Sequence, residues 1–244
     1  MKRSPASDLE RRIGERRRIY LIRHGAVSYF DGVGKPVPPL VVPLNASGIR
    51  QAEAARDFLL PVAIDRIVST GLPRTDQTAE IIAEGRGVSI ESHPELQEVR
   101  PGRLLDPANP DFERKFTRAL DGGEDGAEIT RATQFLGGET FGSLQDRAIP
   151  AFETVLADAS WREIIIVAHG GTNRIILLHA LGAGLSCLGR FEQDAGCINV
   201  IDVDPARKCL VRLVNHTPSA PAKEGLRATT MEQIFLEHLW RRAP

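Results

Sequence analysis

Two short strings, Arg23-His24-Gly25 and His169-Gly170-Gly171, decide how this sequence folds, because each directly follows a run of apolar residues. The first follows Ile19-Tyr20-Leu21-Ile22, and the second follows Ile164-Ile165-Ile166-Val167-Ala168. Short continuous apolar runs are typical of strands that are buried on both faces of a parallel sheet. Both histidines are therefore predicted at the carboxyl ends of strands, the edge of an α/β sheet at which ligands usually bind.

The segments between these strands predict helices that alternate with further strands. Asn45 can cap a helix whose apolar positions recur at helical spacing, namely Ile49, Ala52, Ala55 and Leu59. Residues 64–69 are predicted as a second strand, followed by a helix with Pro73 in its first turn. We expect an α/β fold, a three-layer α/β/α sandwich with a mostly parallel central sheet.

The domain organisation follows from composition along the chain. Residues 1–18 are charged and are predicted to form a disordered or loosely ordered basic arm. Residues 19–244 are predicted to form a single domain. The Gly/Pro-rich residues 31–43 and the polar residues 106–138 are expected as loops that cover the sheet edge, the latter as an insertion or lid.

Composition also limits the partners and the compartment. The 244 residues carry a net charge of −1, so nucleic acid is not an expected partner. The sequence has neither a signal-peptide pattern nor an uninterrupted apolar stretch that could span a membrane, so no membrane partner is expected. Three cysteines without CxxC spacing indicate neither a disulfide framework nor a zinc site. We expect a cytoplasmic protein without a metal or other cofactor.

Arg74 and His24 are residue types suited to phosphoryl chemistry. Arg74 is predicted in the opening turn of a helix, where the amide N–H groups and the helix dipole favour an anion. Its guanidinium matches phosphate oxygens bidentately. A neutral imidazole such as His24 can attack phosphorus when one ring nitrogen is free and the other is held by an acceptor. Taken singly, His24 is better explained as a histidine that hydrogen-bonds in a buried turn, and Arg74 as a cation on the surface of a helix.

Six motifs in one order resemble the histidine phosphatase superfamily, which has the phosphoglycerate-mutase-like fold. They span about residues 19–203 and are Arg23-His24-Gly25; Pro43-Leu44 with Gly48 and Gln51-Ala52; Ser69 through Arg74 to Gln77-Thr78-Ala79; Leu96-Gln97-Glu98 with Gly102; Gly137-Gly138-Glu139-Thr140 with Arg147; and His169-Gly170-Gly171.

This resemblance implies a role for each matching residue. His24 would become phosphorylated and Glu98 would be the proton donor, with Glu95 as the rival acid. The transferred group would be held by Arg23, Arg74, His169 and Gly170. A ring of cationic and N–H donors is what the charge on a transferred phosphoryl group requires.

Four positions depart from the motifs and bear on the activity within this family. Many relatives carry polar residues at the positions of Ala26, Val27 and Phe30, and the mutases carry Arg at the position of Val99. We therefore favour a metal-independent phosphomonoester hydrolase that acts through phosphohistidine. A cofactor-dependent phosphoglycerate mutase and a non-catalytic module that binds a phospho-ligand or a protein are the alternatives.

The substrate is expected to be a small phosphorylated compound. Ser28, which could replace one missing polar contact, and Arg103, a loop cation, are the candidate residues for binding it. The apolar face of the last predicted helix, residues 229–240, is suited to packing on the domain or on a second copy in a homodimer.

Overall fold

The centre of the computed structural model is a six-stranded sheet; the structure describes residues 9–10, 13–31, 35, 37–102, 111–120 and 127–240. Its strands are β1 Arg17–Arg23, β2 Arg66–Ser69, β3 Ile90–Ser92, β4 Glu163–Ala168, β5 Ile198–Val203 and β6 Cys209–His216. They lie in the order β3-β2-β4-β1-β5-β6. All neighbours pair in parallel except β5, which is antiparallel to both β1 and β6. The predicted α/β fold with a mostly parallel sheet is confirmed.

Helices cover both faces of the sheet. They are α1 Ala46–Leu59, α2 Pro73–Ala83, α3 Phe112–Thr117, α4 Phe141–Ala157, α5 Gly170–Leu181 and α6 Thr230–Trp240. Side chains alternate along β1, so Ile19 and Leu21 pack in the core with α4 and α5, whereas Tyr20 and Ile22 pack with α1 and α2. The three-layer α/β/α arrangement follows from these two cores.

Local signals in the sequence set the helix boundaries. The Asn45 side chain accepts a hydrogen bond from the Gly48 amide and begins α1, as predicted. Gly182 ends α5 in the left-handed conformation, with φ of 67°. Of the four apolar positions at helical spacing, Ala52, Ala55 and Leu59 are buried, whereas the Ile49 side chain is exposed.

The first strand begins earlier than the apolar run indicates. Arg17 and Arg18 lie in β1, so the prediction that they belong to the N-terminal arm is wrong. Arg17 lies 4.2 Å from the centre of the Trp161 ring, and Arg18 donates to Asp202 at 2.7 Å. These partners lie far along the chain, so the local sequence carries no sign of them. Residues 1–8 and 11–12 of the predicted arm lie outside the described residues.

The predicted insertion lies against the main core where it is described. Phe116, Leu120, Ile129 and Phe135 are buried in the same cluster as α4 and α5. Residues 106–110 and 121–126 of this segment, and 32–34 and 36 of the predicted 31–43 loop, lie outside the described residues. Within the part of the chain that is described, no helix is long and apolar enough to cross a membrane.

Candidate active site

The sheet brings the two histidine motifs side by side. β1 and β4 are neighbouring parallel strands, and their register pairs Arg23 with Ala168. The next residue of each strand is a histidine, and the ring centres of His24 and His169 lie 5.2 Å apart. Both rings are buried. The common edge predicted from the apolar runs is therefore occupied by both imidazoles.

His24 is held in one tautomer. Its Nδ1 lies 2.7 Å from the Gly25 carbonyl oxygen, and because a carbonyl only accepts, Nδ1 carries the proton. Nε2 then has a free lone pair, toward which Arg74 Nε donates at 3.3 Å. Burial, together with the charges of Arg74 and Arg23, lowers the pKa of His24 well below its usual range. The ring is therefore neutral at pH 7, with an unprotonated Nε2.

His169 is held by a short relay of hydroxyl groups. Thr75 donates to the Leu72 carbonyl, so the Thr70 hydroxyl donates to Thr75 Oγ1 at 2.9 Å. Thr70 then accepts from His169 Nε2, also at 2.9 Å. Nδ1 of His169 is buried and has no partner among the described residues. Burial, followed by the charge of Arg74, lowers the pKa of His169 well below its usual range.

Two buried arginines flank the histidines. Arg74 lies in the opening turn of α2, as predicted, and donates to the Pro39 carbonyl as well as to His24. Arg23 donates from Nη1 to the Gln193 carbonyl and, at 2.7 Å, to the Thr230 hydroxyl. Its Nε is buried without a partner in the described part of the chain. A tetrahedral oxyanion could supply acceptors for this N–H.

The side chain of Glu98 lies at the N-terminus of α5, the helix that begins directly after His169. One carboxylate oxygen accepts from the Gly171 amide at 3.0 Å, and the other accepts from Thr172 at 3.2 Å and from Val99 at 3.0 Å. The helix dipole favours a carboxylate at this position. Glu98 lines the same cavity as His24 and Arg74, whereas the rival acid Glu95 is exposed and is not among the described lining residues.

A clamp formed by Arg147 and Glu139 holds the loop that carries Glu98. From α4, Arg147 donates to the carbonyls of Glu95, Gln97 and Glu98 at 2.7 to 2.9 Å. It also forms a bidentate pair with Glu139, with distances of 2.8 and 2.9 Å. The resemblance assigned neither residue a positioning role, because their contacts are visible only in three dimensions.

Gly102 brings the two loops of this clamp together. A Cβ atom at Gly102 would lie 2.3 Å from the Gly137 carbonyl oxygen, closer than any side chain allows. Glycine is therefore required where the 98–102 loop meets the 137–139 loop, which explains why both motifs contain it.

Of the two predicted substrate residues, Ser28 and Arg103, only Ser28 is among the residues that the structure describes. The Ser28 hydroxyl accepts from the Asn45 amide at 3.3 Å, and Ser28 is not one of the described residues that line the cavity. Arg103 lies outside the described residues. Gly170 lines the cavity as the first residue of α5. Thr230, which contacts Arg23, was not predicted, and its position 207 residues further along the chain left no local signal.

The cavity beside His24 has a volume of about 380 Å³ and is lined largely by apolar side chains. Phe30 and Val99, two of the four departures from the family motifs, are both in its wall. Among the described residues, no group of three or more His, Cys, Asp and Glu side chains could hold a metal ion.

Comparison with known proteins agrees with these features. Residues 19–216 match the profile of the histidine phosphatase superfamily (branch 1). The chain is 31% identical over 156 residues to the protein named probable phosphoglycerate mutase GpmB of Serratia proteamaculans, covering 62% of this chain and 69% of that protein. It is 26% identical over 193 residues to the adenosylcobalamin/alpha-ribazole phosphatase of Escherichia coli, covering 77% and 90%.

Solved structures share the fold. The alpha-ribazole phosphatase of Shigella flexneri superposes with a TM-score of 0.64 at 22% identity, over 81% of this chain and 96% of that one.

Proposed function

Because the chain belongs to the histidine phosphatase superfamily, we propose that it is a metal-independent phosphomonoester hydrolase that acts through a phosphohistidine on His24. The observation that carries the proposal is the state of this ring. The ring is neutral, its Nδ1–H donates a hydrogen bond to the Gly25 carbonyl, and its Nε2 lone pair faces the buried Arg74. This is the form of imidazole that can act as a nucleophile.

The reaction has two halves. In the first, His24 Nε2 attacks phosphorus and the bond between phosphorus and the ester oxygen breaks. The leaving alkoxide takes a proton from Glu98, which must therefore be in its protonated form when the phosphate dianion is bound. In the second, water attacks the phosphohistidine, Glu98 takes a proton from that water, and the bond between phosphorus and Nε2 breaks to release inorganic phosphate. Arg23, Arg74 and His169 would hold the phosphoryl oxygens in both halves, through electrostatic preorganisation.

The unpartnered atoms of the site support this division of roles. Arg23 Nε is a buried donor that lacks an acceptor among the described residues, and a phosphoryl oxygen would satisfy it. His169 Nδ1 is unprotonated in the tautomer set by Thr70. Burial and then the charge of Arg74 lower the pKa of His169, and a bound phosphate dianion would offset the arginine contribution. Substrate binding would therefore favour a proton on Nδ1, which could be donated to a phosphoryl oxygen.

The decisive experiment concerns His24. The His24→Ala variant should be folded but should hydrolyse no phosphomonoester, whereas the wild type quenched during turnover should carry acid-labile, base-stable phosphate. His179→Ala is the matched control, since His179 lies at the far end of α5 and pairs with Glu153. Full activity of the His24 variant would refute the proposal.

The role of Glu98 is tested by the leaving group. A general acid matters most for a basic leaving group, so Glu98→Gln should slow hydrolysis of an alkyl phosphate by about 10²–10⁴-fold and that of p-nitrophenyl phosphate far less. Glu95→Gln should behave as the wild type, because Glu95 is exposed. If the two variants exchange these behaviours, Glu95 is the acid.

Mutase activity is the second candidate function, because a relative is named as a phosphoglycerate mutase. Phe30 and Val99 in the cavity wall argue against it, since they offer a charged phosphoglycerate no polar contact. With 3-phosphoglycerate and a 2,3-bisphosphoglycerate primer, isomerisation should be slow beside hydrolysis of the best phosphomonoester. The opposite ratio would favour the mutase. A non-catalytic binding module is disfavoured because all five expected catalytic positions are filled.

The cytoplasmic location, the small phosphorylated substrate and the homodimer stay predictions, as does the absence of nucleic-acid and membrane partners.

A further inference from the structure

The cavity changes character away from His24. Near the reacting atoms it is lined by the charged and polar groups Arg23, His24, Arg74 and Glu98. Most of the other described lining residues are apolar and come from separate chain segments: Phe30, Leu40, Val99, Phe135, Met231 and Ile234 are examples, whereas Tyr29, Gln97 and Thr230 are polar. The leaving group of a substrate bound at His24 would occupy this part of the cavity.

The cations in this outer part give little support for a second anionic group. Arg174 is 2% exposed, and its guanidinium is already bound to the Glu192 carboxylate at 2.7 Å and to the Phe191 carbonyl. Its charge is therefore largely neutralised. Arg100 is exposed to solvent at the surface, where its charge is screened. Among the described lining residues, no other cation lies outside the group that surrounds His24.

An apolar wall of this kind selects among leaving groups. Burying a carboxylate or a second phosphate against it would leave the charge without compensation, which is strongly unfavourable. Burying a methylene group there is favourable and should raise the specificity constant about fourfold per group. The wall therefore opposes substrates such as phosphoglycerate and favours substrates with an apolar body.

We propose that the physiological substrate is an alkyl or aryl phosphate, the phosphate monoester of an uncharged and predominantly apolar alcohol. The alkyl or aryl group fills the part of the cavity lined by Phe30, Val99, Phe135 and Ile234. This assignment rests on the proposed phosphohydrolase function and adds the substrate class to it. The α6 helix is then part of the substrate site, because it supplies Met231 and Ile234.

The test is a series of primary alkyl phosphates from ethyl to octyl phosphate, with phenyl phosphate, glycerol phosphate and 3-phosphoglycerate beside them. The primary alcohols are leaving groups of similar basicity, so differences in kcat/KM report binding of the chain rather than chemistry. We expect kcat/KM to rise about threefold to fourfold per methylene until the cavity is filled. The two polar substrates should fall below butyl phosphate.

A pair of leucine variants tests the wall directly. Leu40 lies at the cavity and is 62% exposed, so Leu40→Asn should not impair folding. It should lower kcat/KM for octyl phosphate by about fourfold, the value of one methylene contact, and lower that for ethyl phosphate by less. Leu60→Asn is the matched control, because Leu60 is 68% exposed and is not one of the described lining residues.

The outcomes separate this inference from the function on which it rests. If glycerol phosphate or 3-phosphoglycerate is hydrolysed as efficiently as the long alkyl phosphates, or if the chain-length series is flat, the apolar substrate class is wrong and the phosphohydrolase stands. If no phosphomonoester is hydrolysed, p-nitrophenyl phosphate included, and His24 traps no phosphate, the proposed function itself fails.

Discussion

Replacing Arg147 with Met removes the clamp on the Glu98 loop while keeping a side chain of similar length. Arg147 contributes three hydrogen bonds to backbone carbonyls of residues 95, 97 and 98 and a bidentate pair with Glu139. Without it, the three carbonyls lose their charged donor and Glu139 keeps a buried carboxylate without its partner. We expect a loss of stability together with a misplaced Glu98.

The magnitude follows from the burial of the pair. The Arg147 and Glu139 side chains are 18% and 10% exposed. Removing one partner of a buried ion pair costs about 3–5 kcal/mol, and the residual exposure places this pair near 3 kcal/mol. A domain of this size should stay folded after that loss. The double variant Arg147→Met/Glu139→Gln should recover part of it, because no uncompensated charge is left.

The pH dependence has a definite sign. Burial raises the pKa of Glu139, but the hydrogen bonds from Arg147 and from the Arg100 amide outweigh it and hold the pKa below its usual value of 4.5. A carboxyl with a depressed folded pKa stabilises the protein above its unfolded pKa, and this stabilisation is lost as the pH falls through the folded value. The penalty of Arg147→Met should therefore be full at pH 7 and shrink below about pH 4.5.

Urea unfolding measures the stability, and kcat for alkyl and aryl phosphates measures the position of Glu98. The variant should lose activity on the order of 10² for an alkyl phosphate, as expected when a catalytic group is displaced by about 1 Å, and less for p-nitrophenyl phosphate. Arg131→Met is the matched control, because the Arg131 pair with Asp146 is exposed and should matter little. If both variants behave alike, or if the two substrates lose activity equally, the positioning role of Arg147 is refuted.

Four further predictions follow from the same contacts. The pKa values of His24 and His169 are lowered in the folded protein, so as the pH falls these histidines take up protons in the unfolded state first. Below pH 6.5 the free energy of unfolding should therefore fall by up to about 1.4 kcal/mol per pH unit for each histidine. Urea titrations should show this slope in the wild type and not in the variant in which both histidines are replaced by Asn. Thr230→Val removes the hydroxyl that holds Arg23. It should lower kcat about tenfold, the value of a hydrogen bond to a charged group, with little change in the free energy of unfolding. Gly102→Ala should lower the melting temperature, since its Cβ would meet a carbonyl at 2.3 Å. Exhaustive chelation should leave kcat unchanged; recovery of a chelated, inactive enzyme on adding a divalent cation would contradict a metal-independent reaction.

The sequence predicted the elements that local patterns encode. The apolar runs before His24 and His169 became β1 and β4, and residues 64–69 contain β2. The wrong assignment of Arg17 and Arg18 to the N-terminal arm has a physical cause. Whether a residue at the end of an element faces the core depends on partners from distant segments, which periodicity does not record.

The site was predictable to the extent that its residues are attached to strand and helix ends. His24, His169 and Arg74 follow directly from those ends, and the motif order indicated Glu98. Thr230 and the positioning role of Arg147 could not be inferred, because each acts on a residue about 50 to 207 residues away. Such contacts depend on how helices cross the sheet, which a single sequence does not specify.

The arrangement of charges around His24 would serve the proposed reaction at two stages. In the free protein, burial and the two arginines lower the pKa of the ring, so Nε2 is unprotonated near neutral pH. When a phosphomonoester binds, the same arginines would pair with the phosphoryl oxygens, and their charge would no longer oppose positive charge on the ring. Attack by Nε2 would create such charge on the imidazole. In the proposed reaction, the residues that keep the nucleophile unprotonated would therefore also remove, when the substrate binds, the electrostatic penalty for the attack.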